Sequence, residues 1–126
     1  MNLQDELTKE FLSWVLGEEV LAYSNSTNPL NTIIVMFNED GENYEDSLNL
    51  DTLTRLIKEK CLEEDIIIDT VTYKYQDEKF YYASSLKYPN GIGREICDAL
   101  YTELEAVVKA GKYVREKKKL QKSKKH

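Results

Sequence analysis

The chain's only histidine is its last residue, His126, and its only cysteines are Cys61 and Cys97. A nucleophile in need of an imidazole partner has nothing better placed to draw on. Two thiols 36 residues apart, with one terminal histidine, do not form a zinc site. Each cysteine falls on or beside an apolar stripe, the position of a buried free thiol. The 23 Asp and Glu supply carboxylates in plenty, but no spacing isolates an acid/base pair. No phosphate-cradling Gly-rich loop occurs. The expectation is a chain without catalytic residues, metal or cofactor.

Four other groupings could bind. The acidic segment Asn38-Glu39-Asp40-Gly41-Glu42-Asn43 has oxygen ligands, but aligning Gly41 with position 6 of a calcium loop puts Met36 at position 1. It reads as a solvated turn. Gly91, Gly93 and Arg94 stand where a strand should pass into a helix, so free N–H groups and a guanidinium could hold an anion there. A turn before a helix explains the glycines equally well. Glu63, Glu64 and Asp65 sit at the C-terminal end of an expected helix, where the dipole disfavours negative charge unless a basic group or a partner offsets it. The fourth grouping is aromatic. Tyr73, Tyr75, Phe80, Tyr81, Tyr82 and Tyr88 crowd one region. Core packing, a protein-binding face and base stacking all fit them, although acidic surroundings oppose the last.

The net charge of −6 conceals a division. Residues 1–111 carry 9 Lys and Arg against 22 Asp and Glu, a net −13, whereas residues 112–126 carry 8 against 1, a net +7. An acidic body repels phosphates and favours partners with basic surfaces. The terminal lysines (Lys117, Lys118, Lys119, Lys122, Lys124 and Lys125) suit nucleic acid, an anionic surface or the chain's own acidic body, or simply confer solubility. No apolar run approaches the roughly 18 residues of a membrane span. The start, MNLQDELTKE, is too acidic for a secretory signal, and a cytoplasmic protein is expected.

The elements that position these groups follow from periodicity. Leu3, Leu7, Phe11 and Val15 recur every four residues, which predicts a helix over 2–23 that either ends at Gly17 or runs on to Tyr23. SNSTNP, 24–29, reads as a loop. Leu30–Phe37 reads as a buried strand, with a weaker strand over Tyr44–Leu48. Asp51 is placed to cap a helix over 52–64 whose buried stripe is Leu53, Leu56, Ile57 and Cys61. Residues 66–75 and 79–85 read as a hairpin, apolar on both faces and so expected to be covered on both. After the break at Pro89 to Gly93, Ile96, Leu100, Leu104 and Val107 predict a helix from about Ile92 to a stop at Gly111.

The reading is an α+β fold in the order α-β-(β)-α-β-β-α, a small sheet built on the 66–85 hairpin against three helices. Residues 1–111 form a single domain, and 112–126 a basic helix extension, to about Lys119, and a disordered tail. If the Leu30–Phe37 strand joins that sheet through the second helix, it lies parallel to the Ile66 strand.

LDTLTRLIKEK, the tyrosine-rich hairpin and REICDALYTELE, in this order, resemble the phage ABA-sandwich domain family over about half the chain. Asp51 to Lys60 and Arg94 to Glu105 match its two helices. The family's final "AICRAAL" is Glu95-Ile96-Cys97-Asp98-Ala99-Leu100 here, and its "MGW" is Ser13-Trp14-Val15. The resemblance implies α/β/α layering and a phage or mobile-element origin, and it transfers no active site. The function expected is a non-enzymatic protein-binding module docking on a basic surface; the alternative is a nucleic-acid-binding accessory protein acting through the tail.

Overall fold

The computed structural model describes residues 7–25, 32–74, 76–100 and 102–124, with backbone alone at 25, 97–100 and 120–124. Thr8 opens the first helix, α1 (Lys9–Leu16), accepting a hydrogen bond from the Phe11 N–H at 3.1 Å. Gly17, at φ 73°, closes it in the left-handed conformation that glycine adopts without steric cost. Of the two endings open in the sequence, the chain takes the earlier one. Residues expected in a longer helix instead form the strand β1 (Val20–Asn25). The Ser13 hydroxyl fixes this exit, accepting from the Val20 N–H at 2.9 Å and donating to the Lys9 carbonyl at 2.8 Å.

β2 (Thr32–Glu39) and β3 (Glu42–Asn49) form a hairpin whose turn is only Asp40-Gly41, at φ 54° and 84°. Two successive positive φ values are the requirement of the type I′ turn that best fits strand twist. The six-residue loop expected at 38–43 is thus a two-residue turn with its flanks paired. Asn49, rather than Asp51, caps α2 (Leu50–Leu62), accepting from Asp51 N–H at 2.8 Å.

The 66–85 hairpin is present as β4 (Ile67–Lys74) and β5 (Phe80–Lys87). The next segment departs from expectation. Gly93–Leu100 is a third strand, β6, antiparallel to β5, and the last helix, α3, spans Glu103–Lys124. Helical spacing of Ile96, Leu100 and Leu104 therefore continues across a strand-helix junction. The unsatisfied edge of β5 supplies the hydrogen bonds that outweigh it. Thr102 marks the junction, with its Oγ1 accepting from the Glu105 N–H at 3.1 Å and donating to Glu105 Oε1 at 2.9 Å.

The order is thus α-βββ-α-βββ-α, with two three-stranded antiparallel sheets, β1-β2-β3 and β4-β5-β6. The conditional parallel pairing is not made, because β2 lies between β1 and β3. One apolar core joins both halves. Phe11 and Leu12 of α1, Ile33 and Val35 of β2, and Leu53 and Ile57 of α2 are fully buried in it. Ile68 and Leu86 bring in the second sheet, and Val107, Val108 and Val114 bring in α3. Gly111 does not stop this helix; it is a buried residue in its middle.

Candidate protein-binding surface

One long stretch of the chain is acidic with no basic residue in it. From residue 10 to residue 54 the chain carries nine Asp and Glu and not one Lys or Arg. That segment spans most of α1, all of β1, β2 and β3, and the start of α2. β3 is one of the sheet's two edge strands, and every side chain from Glu42 to Ser47 is exposed. Its register sets the faces. Glu42, Tyr44 and Asp46 lie opposite Glu39, Phe37 and Val35 on the core side, while Asn43, Glu45 and Ser47 lie opposite Asn38, Met36 and Ile34 on the other.

Tyr44 is the centre of the core-side group. Its ring stacks on Phe37 with centroids 5.2 Å apart, and its hydroxyl donates to Glu18 Oε2 at 2.8 Å. That hydrogen bond first, then desolvation, and then the charges of Glu18, Glu39 and Asp46 push the phenol up to about 12. Four elements of local structure thus meet: the turn after α1, the ends of β2 and β3, and their hairpin. On the sheet's other side, Ala22, Tyr23, Ser24, Ile34, Met36 and Glu45 line a shallow hollow of about 140 Å³.

The tyrosines singled out in the sequence do not form one site. Tyr73 and Tyr81 are cross-strand partners with ring centroids 6.1 Å apart. They share the outer face of the second sheet with Ile67 and Val71, which are 50% and 57% exposed. Both faces were expected to be covered; no described element covers this one. Tyr82 faces the opposite way, into a hollow of about 620 Å³ lined by Leu50, Thr54, Lys58, Glu103 and Leu104. There Lys58 Nζ lies 3.2 Å from Glu103 Oε1, which also accepts from the Thr70 hydroxyl at 3.3 Å. Tyr88 packs half-buried against the core beside Ile66 and Tyr113. Tyr75 lies outside the described residues. Phe80, 61% exposed, is near the end of the hairpin under Lys74, whose Nζ is 6.0 Å from its ring centre.

The other groupings find local partners. Glu64 pairs with Lys118, and Glu63 Oε2 lies 3.3 Å from Lys60 Nζ, so basic side chains offset the acidic end of α2. Asp65, at φ 61°, belongs to the turn that follows. Gly91 precedes a strand and Gly93 opens it, so the helix N-terminus expected to help hold an anion is absent. The Gly91 N–H donates to the Tyr88 carbonyl at 2.9 Å, and the Ile92 N–H to Asn90 Oδ1 at 3.0 Å. Arg94 lies over the Tyr113 ring, 4.8 Å from its centre.

The lysines of the C-terminal stretch are carried on α3. Lys118 and Lys119, with Lys60 and Arg115, surround Trp14 in a hollow of about 320 Å³, and Lys60 Nζ lies 5.7 Å from the indole centre. Lys117 lies 5.6 Å from the Tyr113 ring centre. Lys122 and Lys124 are placed by backbone alone, and Lys125 lies outside the described residues.

Cys61 is fully buried, and burial pushes its thiol up to about 12. Cys97 stands on β6 rather than on a helix. Among the described residues, no three His, Cys, Asp or Glu side chains are grouped to hold a metal ion, and no helix is long and apolar enough to cross a membrane.

In the sequence the residues round Tyr44 belong to an expected loop and a weak strand, and no local spacing joins them. The long interval without a basic residue was the available signal. No family model, curated protein or solved structure matches the chain.

Proposed function

We propose that this chain is a non-enzymatic protein-binding module that docks its first sheet on a basic surface of a partner. The observation that carries this reading is the unbroken interval of nine carboxylates and no cation, folded so that Glu42–Ser47 of an edge strand are exposed round a stacked Phe37–Tyr44 pair. Complementary charge of this kind speeds encounter and selects partners, while a desolvated aromatic centre holds the complex. An accessory protein or inhibitor of the phage or mobile-element kind is the setting that the sequence resemblance adds.

The test is a titration with a lysine-rich polypeptide, followed by backbone amide shifts. Shifts should concentrate on residues 18–49 and weaken as ionic strength rises from about 0.02 to about 0.2 M. Glu42→Gln with Asp46→Asn should weaken binding. Absence of binding at low salt, or shifts confined to the second sheet, would overturn the reading.

A second reading rests on the cationic hollow at Trp14, where Lys60, Arg115, Lys118 and Lys119 converge. Nucleic acid would be held there through phosphate contacts along α3. The single tryptophan reports on it directly: a single-stranded oligonucleotide should change Trp14 fluorescence at low salt, and an unchanged spectrum removes this alternative.

A further inference from the structure

If the first sheet docks on a basic partner, as proposed for its function, its edge strand β3 constrains the form of that partner. We propose that the outer edge of β3 accepts an extended basic segment as a fourth strand, with the pattern basic–apolar–basic at alternate positions.

β3 is an edge of the first sheet, paired only with β2 among the described residues. In an antiparallel ladder, alternate residues of an edge strand turn their N–H and C=O groups away from the one neighbour they have. Glu42 to Asn49 are in regular register with β2, so every second residue of this strand is available for such pairing. The Asp40-Gly41 turn pins β3 on β2, so the edge is preformed.

The side chains then decide which segment can add. A strand laid along β3 places its side chains about 5 Å from those of β3 on each face. On the core side it meets Glu42, Tyr44 and Asp46, which recur at every second residue. The complementary sequence carries a basic residue opposite Glu42, an apolar or aromatic one opposite the Tyr44 ring, and a second basic residue opposite Asp46. Glu18, held at the Tyr44 hydroxyl, adds to the negative field at the middle position. On the other face the segment meets Asn43, Glu45 and Ser47, which ask for polar or basic side chains.

The same charges exclude the commonest competitor. A second copy of this chain pairing antiparallel along the same edge, Tyr44 opposite Tyr44, would set Glu42 against Asp46 twice, and like charges directly opposite are destabilising. The edge is therefore closed to itself and open to a cationic strand. Strand addition draws affinity from the main chain and selectivity from alternate side chains.

The experiment uses the full chain and a capped peptide, Thr-Lys-Thr-Val-Thr-Lys-Thr, with two N-methylated versions that block alternate sets of amides. Strand addition predicts that one methylated version binds weaker by on the order of tenfold or more while the other binds as before. It also predicts that those amides of Glu42–Asn49 that face away from β2 gain protection from hydrogen exchange, while those that face β2 do not. Equal binding of all three peptides would overturn strand addition and leave the docking reading intact. No binding of any peptide at low salt would overturn both. Glu42→Gln and Asp46→Asn, each made alone on an exposed site, should reduce affinity with the sheet's amide dispersion unchanged; unaltered affinity in both counts against the proposed pattern.

Discussion

Gly111 and Ile57 touch so closely that a Cβ on residue 111 would lie 2.7 Å from Ile57 Cγ2, and it would also lie 2.9 Å from Phe11 Cζ. The missing side chain is what lets α3 lie on both α1 and α2. Alanine at this position would gain about 1 kcal/mol of helix propensity. Overpacking a filled core costs typically 1–3 kcal/mol, so clash should win.

Gly111→Ala is therefore expected to lower the urea midpoint at constant slope, although the same change at an exposed helix position raises it. Ile57→Ala alone should cost about 2–5 kcal/mol. In that background, Gly111→Ala should become stabilising, because its methyl group enters vacated space. A stabilising effect in the wild-type background would show that α3 can lift away at no cost.

Deleting residues 112–126 would not be a clean removal of charge. Val114 is buried, and Tyr113 packs on the core. Burial of one valine alone is worth about 1.5–3 kcal/mol. The truncated chain should lose cooperative unfolding or show a lower midpoint. Replacing Lys117 and Lys119 with Gln should leave the midpoint nearly unchanged, because both are exposed and surface charges contribute little. If truncation and replacement behave alike, the C-terminal half of α3 is not part of the core.

What was legible in the sequence was whatever local spacing alone determines. The Leu53, Ile57 and Cys61 stripe is buried on α2 as expected, and IIIDTVTYKY with KFYYASS gives the β4–β5 hairpin. β6 was illegible because Ile96 and Leu100 satisfy a helical period, while the deciding contact is with β5, several residues back across a turn. β1 was illegible for a similar reason: VLAYSN lacks a strong alternating pattern, and its pairing partner is β2. Gly111 stood in the composition of a helix stop, and only tertiary packing shows that it is a contact point. The candidate surface was half legible. Its charge could be counted, but the convergence of Glu18 on Tyr44 needed the β2–β3 turn.

The phenol of Tyr44 offers a direct check on that convergence. Its hydrogen bond to Glu18 is the main reason it is held at about 12, with the carboxylate charges adding to it. Glu18→Gln should bring the value down toward the ordinary 10.0, read from the ring-carbon resonance of Tyr44 against pH. Asp46→Asn should lower it less. A Tyr44 value already near 10 in the wild type would mean that the carboxylates do not face the ring.

Cys61 provides the pH dependence. Its thiol stands at about 12 in the fold against 9.0 for a free thiol, first because of burial and then because of the Glu64 charge. A raised acid favours the folded state as long as the thiol stays protonated in both states. Above about pH 9 the unfolded thiol ionises while the folded one does not, so this contribution declines as pH rises and is spent near pH 12. Lysines and tyrosines titrate in the same range, so the difference between wild type and Cys61→Ala isolates the effect. That difference in unfolding free energy should be constant below about pH 8 and should fall between pH 9 and 11. A constant difference across the whole range would show that the thiol ionises as readily in the fold as in the unfolded chain, and that the contact between α2 and the core is open to water.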